Sequence, residues 1–306
     1  MSWECPHQDG DGETCDRLKG ACRPFGKGCV LYGKGQSMVA GQEEQTMSTT
    51  SEERKTGKPE NAVRPEMTLG ELVTRYPRLR ERLEQSGIDY CCGGKRPLAE
   101  AVTAAGLDLE ATVADLEMNL AQAPSTAAAD WSAVPLSVLA DHILDTHHVF
   151  TKAQLTRIDT LMAKVQNAHR ARHGGMLDAL RSVFDQLKAE LETHLMKEEQ
   201  ILFPAIKDID GFMAGRNGRP AVHCGSVAHP IRQMEHEHDA AGSALVRLRE
   251  ITGNYRTPAD ACQTFKALYE ALAALEADLH EHIHLENNIL FPGSVRQEEA
   301  MTKRGL

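Results

Sequence analysis

Two segments of the chain carry metal-site residue types at matching positions. His194-Leu-Met-Lys-Glu198-Glu-Gln-Ile-Leu-Phe-Pro204 is echoed 88 residues later by His282-Ile-His-Leu-Glu286-Asn-Asn-Ile-Leu-Phe-Pro292, without a gap. A His and a Glu four positions apart stand one above the other on the same helix face. That face reads Leu187, Leu191, His194, Glu198, Leu202 in the first copy and Leu275, Leu279, His282, Glu286, Leu290 in the second. Each polar pair thus interrupts an apolar stripe. An unpaired carboxylate buried there costs roughly several kcal/mol, so it calls for a cation or a strong hydrogen-bond partner. Two such pairs facing each other across a helical core make a cage for two metal ions. Nitrogen and oxygen donors without thiolate suit iron or manganese, with zinc as a misincorporated substitute.

The helices that precede each copy should complete the donor set. Ile231, Met234, His238, Ala241, Leu245 and Leu248 share one apolar face, which singles out His238, whereas His236 falls with Arg232, Ala240 and Arg247 on a more polar one. In the earlier helix His147 shares a stripe with Ile143 and Phe150, and His148 one with Leu144 and Leu155, so periodicity leaves both open. Four imidazoles and two bridging carboxylates, with one bridging oxygen from solvent, give each metal about five ligands and room for a small exogenous molecule. Glu190 and Glu237 lie close enough in sequence to act as outer carboxylates, or to sit on the surface.

These residues need a scaffold. The repeat extends upstream, Leu187 matching Leu275, Leu191 matching Leu279 and Glu190 matching Asp278. Each copy follows another amphipathic, histidine-bearing helix, near residues 136–163 and 230–251. A duplicated helix hairpin folded into an up-down four-helix bundle over residues 130–295 is the simplest all-α architecture. Pro204 and Pro292 are expected to stop their helices one turn past the Glu.

Ahead of the bundle, residues 66–121 read as a small helical domain. Leu69, Leu72, Val73, Tyr76, Leu79 and Leu83 at helical spacing predict one helix ending near Ser86-Gly87, followed by a Cys91-Cys92-Gly93-Gly94 turn and two further helices. A vicinal disulfide is strained, so Cys91 and Cys92 read as a thiol pair that reacts, or that binds metal or a partner transiently. Residues 37–65 are polar and aperiodic, the composition of a flexible linker. Residues 1–36 hold Cys5, Cys15, Cys22 and Cys29, separated by nine, six and six residues. Four thiols in a glycine-rich, core-poor segment suggest a second metal site, for zinc or an iron–sulfur cluster. Cys224 and Cys262 occur singly and read as incidental. His280-Glu281-His282-Ile283-His284 matches the zinc-protease pattern formally, but its two outer histidines point about 160° away from the His282 face and have no counterpart in the first copy.

Composition narrows the function further. The 306 residues are 41% apolar but only 5% aromatic, poor in β-branched runs and rich in helix formers. A formal charge of -10 argues against nucleic-acid partners, and no apolar stretch is long enough to span a membrane. The N-terminus lacks a basic-then-apolar signal pattern, which makes the cytoplasm the expected compartment.

From about residue 67 to 293 the chain resembles the bacterial repair-of-iron-centres (RIC) family of di-iron, hemerythrin-like proteins. The matching segments are YCCGG at 90–94, DHILDTHH at 141–148, HLMKEEQILFP at 194–204, MEHEHDAAG at 234–242 and HIHLENNILFP at 282–292. The resemblance implies iron ligands at His148, His194, Glu198, His238, His282 and Glu286. It favours His148 over His147, because the family's ligand lies six residues after the histidine matched by His142. It further implies two non-haem iron ions, oxo- and carboxylate-bridged, that serve to repair iron–sulfur clusters damaged by nitric oxide or oxidants. Iron donation and nitric oxide processing are the two routes, with a nitric oxide reductase, or an oxygen- or nitric oxide-binding sensor without turnover, as alternatives. The expected partners are damaged iron–sulfur proteins, nitric oxide or oxygen, and an electron donor, and a homodimer is allowed. The resemblance also points Cys91 and Cys92 toward a redox or iron-transfer role, and residues 1–65 lie outside it.

Overall fold

The structure, a computed structural model, describes residues 62–122, 130–222 and 225–304, with the backbone of 14–15 and 20–21. In the N-terminal unit, β1 (Thr14–Cys15) pairs antiparallel with β2 (Gly20–Ala21). The side chains of Cys5, Cys15, Cys22 and Cys29, and linker residues 37–61, lie outside the described part. Pro59–Leu306 forms a second compact unit that holds both the small domain and the bundle.

The small domain is built from α1 (Leu69–Arg75), α2 (Arg80–Gln85), α3 (Leu98–Ala104) and α4 (Leu109–Gln122). A capping box opens α1: Thr68 Oγ1 accepts from the Glu71 amide, and Glu71 accepts from the Thr68 amide. The single helix expected over this stretch is broken in two. Pro77 lacks an N–H and disfavours helical geometry at Tyr76, so a 3₁₀ turn at Pro77–Leu79 separates α1 from α2. The apolar face survives the break, because Leu69, Leu72, Val73, Leu79 and Leu83 are all buried in one core with Leu98, Val102 and Leu116. Val63 joins that core, and so does Ile283 from the bundle, so the two domains share apolar packing.

The bundle follows from α5 (Leu136–Ile143), α6 (Val149–Lys197), α7 (Phe203–Met213), α8 (Ala228–Thr252), α9 (Gln263–Leu285) and α10 (Phe291–Arg304). Helical backbone runs through all 49 residues of α6. A straight helix would hold residues 148 and 199 roughly 75 Å apart. Instead His148 Nδ1 lies 2.9 Å from Glu199, and Lys188 Nζ lies 3.0 Å from Asp159. The chain therefore reverses near Arg172–Gly175, and α6 supplies the facing legs of two bundle helices. The larger core, with Leu155, Ile158, Met162, Leu180, Phe184, Leu187, Leu245, Leu268 and Leu275, fills the space between those legs and α8 and α9.

Neither proline stops its helix. Single π turns at Glu198–Leu202 and Glu286–Leu290 join α6 to α7 and α9 to α10, with the amides of Phe203 and Phe291 bonding to the Glu198 and Glu286 carbonyls. Pro204 and Pro292 come directly after, where the hydrogen-bond register changes and a missing N–H is tolerated. A third π turn, Leu144–His148, joins α5 to α6. All three carry or adjoin the residues singled out for metal binding.

The turn at 91–94 packs tightly against the bundle. A side chain on Gly94 would collide with the Asn288 amide, and one on Gly70 would approach the same group. Gly94→Ala is therefore expected to destabilise the protein by about 1–3 kcal/mol. Adding Asn288→Ala should return part of that loss, measurable by urea denaturation of both variants.

Candidate metal centre

Glu198 and Glu286 are both 0% exposed and lie at the centre of the bundle. Each oxygen of each carboxylate faces a different imidazole. Glu198 Oε2 is 3.4 Å from His148 Nε2 and Oε1 is 3.4 Å from His194 Nε2. Glu286 Oε1 is 3.1 Å from His282 Nε2 and Oε2 is 3.2 Å from His238 Nε2. The result is two four-residue groups, His148/His282 and His194/His238, each completed by the same two carboxylates. The structure brings all six residues together. His147 is buried too, but it bonds to Asp278 at 3.0 Å and stacks on His282 with centroids 5.5 Å apart.

The outer partners fix which nitrogen faces inward. His148 Nδ1 donates to Glu199 at 2.9 Å, His194 Nδ1 to Glu237 at 2.9 Å, and His238 Nδ1 to Asn287 Oδ1 at 2.9 Å. Lys152 and Lys197 in turn bind Glu199 and Glu237. With Nδ1 carrying the proton, Nε2 presents a lone pair to the interior. The His194 and His238 Nε2 atoms then face each other at 3.1 Å, an arrangement that two lone pairs do not hold without a cation or an added proton. Both Glu198 oxygens, Glu286 Oε2 and His148 Nε2 are buried without a hydrogen-bond partner. Converging lone pairs, orphaned carboxylate oxygens and no thiolate fit two hard-to-borderline cations. Sequence reasoning raised Glu237 as an outer carboxylate but passed over Glu199 and Asn287. Both directly follow a repeated glutamate, the signal that could have found them.

Without metal, protons take the cations' place. Burial opposes the charged form of His194, but Glu198 and Glu286 outweigh it and push its pKa up to about 9. Burial likewise opposes ionisation of Glu286, yet His282 and His238 hold its carboxyl well below the usual carboxylate range.

The dithiol turn abuts this cage. Asp89 Oδ1 accepts from the amides of Cys91 and Cys92 at 2.9 and 3.0 Å, which fixes the turn. The two sulfurs are free thiols 3.9 Å apart, and Cys92 Sγ lies 3.7 Å from the carbonyl of His238. Asn287 bonds to His238 through Oδ1 and to the Cys91 carbonyl through Nδ2 at 3.4 Å. The Cys92 thiol and burial push the Cys91 thiol well above its ordinary range, so Cys91 is held protonated. Cys92 is the half-exposed member and opens on a cavity of about 350 Å³ bordered by Glu84, Asp239, Arg249 and His280. A separate recess of about 20 Å³, lined by Glu190, Leu191 and Glu237, reaches His194, His238 and His282. The outer histidines of the protease-like pattern serve the domain contact instead, with His280 bonding Glu84 and His284 meeting the ring of Tyr90 edge-on.

Comparison with known proteins agrees with this geometry. Residues 139–293 match the hemerythrin HHE cation binding domain, and residues 65–120 match a domain of unknown function (DUF542). Over 230 residues the chain is 39% identical to the iron-sulfur cluster repair protein YtfE of Citrobacter koseri, covering 75% of this chain and 97% of that one. Over 239 residues it is 39% identical to YtfE of Musicola paradisiaca, covering 76% and 98%. The chain belongs to the YtfE family of iron–sulfur cluster repair proteins. Its two family domains are the two that share a core here, and their junction carries the dithiol. The hemerythrin-like domain implies iron binding, and the buried histidine–glutamate groups could hold a metal. No helix among the described residues is long and apolar enough to cross a membrane.

The metal-free cage makes stability depend on pH. A His194 pKa of about 9, raised from 6.5, contributes stability that is complete below pH 6.5 and lost as pH rises through about 9. Urea midpoints of the metal-free protein should therefore fall between pH 6.5 and 9. The metal-loaded protein should lack this slope, because the cation replaces the proton.

Proposed function

We propose that the chain holds two iron ions between His148, His194, Glu198, His238, His282 and Glu286, and serves in the repair of iron–sulfur clusters damaged by nitric oxide or oxidants. The observation that carries this reading is the pair of four-residue groups that share both buried carboxylates. Bound iron would supply Lewis acidity, redox chemistry and an exchangeable metal. The chain supplies the rest. Glu199, Glu237 and Asn287 orient three of the imidazoles, the apolar core excludes bulk water, and the 91–94 turn places the Cys92 thiol against the backbone of His238 with Cys91 beside it.

Iron donation is the favoured route, because the dithiol lies between the cage and the 350 Å³ cavity. A protonated Cys91 beside a half-exposed Cys92 suits transient capture of iron, with Cys92 engaging first and Cys91 releasing its proton on binding. The small recess that reaches three of the imidazoles supports a second reading, in which nitric oxide binds and is reduced at the same centre with electrons from a partner. In both readings the protein works in the cytoplasm on damaged iron–sulfur proteins.

Anaerobically purified protein should contain about two irons per chain, and Glu198→Ala or Glu286→Ala about one or fewer. An iron content unchanged in both variants would remove the cage from the proposal. Asn287→Leu should weaken iron retention about 10–100-fold in a chelator competition. Cys91→Ala/Cys92→Ala should keep its iron but lose cluster repair in an assay with a nitric oxide-damaged iron–sulfur protein. Full repair by that variant would exclude the thiols, and nitrous oxide formation by the iron-loaded protein would favour the second reading.

A further inference from the structure

Another set of metal-binding side chains gathers far from the cage. His169 and His173 sit four residues apart in α6 at the start of its reversal, and Asp260 and Cys262 lie in the segment that leads into α9. Helix lengths place them about 30 Å from the cage, at the opposite end of the bundle. His173 Nε2 is 3.0 Å from Asp260 Oδ1, and His169 Nε2 is 3.2 Å from Cys262 Sγ. One donor atom each from His169, His173 and Asp260 lie within 4.8 Å of one another.

The surroundings hold these groups ready. The buried ring of Phe265 meets both imidazoles edge-on, at 5.1 Å from His169 and 5.7 Å from His173. Arg172 binds Asp260 Oδ2 at 3.0 Å and leaves Oδ1 facing His173. Cys262 is the N-cap of α9, where the helix dipole favours a thiolate. The hydrogen bond from His169, then those from the α9 backbone, pull its thiol down to about 7. The helical spacing of the histidines provides two nitrogen donors on one face, and the facing loop provides one oxygen and one sulfur. This mixed donor set suits zinc and its tetrahedral relatives rather than the iron of the oxygen-rich cage.

We propose that His169, His173, Asp260 and Cys262 form a second, mononuclear site for a zinc-class divalent cation, which clips the reversal of α6 to the loop before α9. His169, His173 and Asp260 already converge, and the cation draws the Cys262 sulfur in beside them from its contact with His169, since tetrahedral zinc with nitrogen ligands at about 2.0 Å has donor–donor edges of about 3.3 Å. It takes the Cys262 sulfur as thiolate and releases the proton from the fraction that is still thiol. Cys262, unremarkable as a single cysteine in the sequence, becomes a ligand through the fold.

The test uses the full-length, iron-loaded chain and Co²⁺ as the probe. The N-terminal cysteines can also take cobalt, so the readout is the difference between wild type and His169→Gln/His173→Gln. Wild type should bind one more Co²⁺ per chain than the variant, and the difference spectrum should hold a thiolate-to-cobalt charge-transfer band that Cys262→Ser removes. Asp260→Asn should weaken that extra binding at least tenfold. Iron content and far-ultraviolet circular dichroism, unchanged in every variant, show that the bundle and cage are intact. If His169→Gln/His173→Gln fails that check, Asp260→Asn with Cys262→Ser serves as the reference instead. Equal cobalt binding by wild type and the folded reference variant overturns the proposal, as does an extra ion without thiolate absorption.

Discussion

Two carboxylates, Glu198 and Glu286, sit wholly inside a helical core whose apolar part is dominated by leucine, isoleucine and phenylalanine. Their desolvation is costly, and the surrounding structure answers it. Each oxygen meets an imidazole, each of three imidazoles is backed by a polar side chain, and two of those are backed by a lysine. A charge network of this kind leaves lone pairs pointing at two central positions, each of which could hold a cation. The π turns belong to the same arrangement. One begins at each carboxylate and one ends at His148, so the helices change register where their side chains must turn inward.

The cage has near-twofold symmetry, and its departures from symmetry are informative. The residue before His238 is Glu237, which bonds the ring of His194. The residue before His148 is His147, which stacks on the ring of His282. A hydrogen-bonding carboxylate on one side is thus matched by an aromatic ring on the other, and His282 Nδ1 is left buried without a hydrogen-bond partner. The residues after the two glutamates differ in the same way. Glu199 backs His148 with a charge, while Asn287 backs His238 with a neutral amide. The amide has a donor to spare, and that donor reaches the carbonyl of Cys91. A carboxylate at position 287 would have no proton for that bond, so the asymmetry gives the small domain a hydrogen bond to the cage beside the Cys92 contact with His238.

The small domain thereby becomes part of the site rather than an appendage. Gly70 and Gly94 let its backbone approach Asn288 closely, and Ile283 from α9 completes its apolar core. Lys95–Glu235 and Arg80–Glu281 ion pairs line the rim of the contact. These pairs on the rim add little energy by themselves.

The sequence by itself carried the all-α architecture, the duplicated hairpin, and five residues of the cage, because a His and Glu at i and i+4 on an apolar stripe is a property of one helix. His148 needed the family resemblance, since adjacent histidines both border apolar stripes and only packing chooses between them. Pro77 marked a break that the leucine pattern concealed, and Pro204 and Pro292 suggested ends that the π turns bypass. What the tertiary structure alone decided lies between helices. Glu199 reaching His148, Asn287 joining His238 to Cys91, and Cys262 meeting His169 are contacts between residues 49 to 196 positions apart. Helical periodicity states which face a side chain occupies. It holds no information about which helix will stand opposite, and that is set by the reversal in α6 and the seating of the small domain against α9.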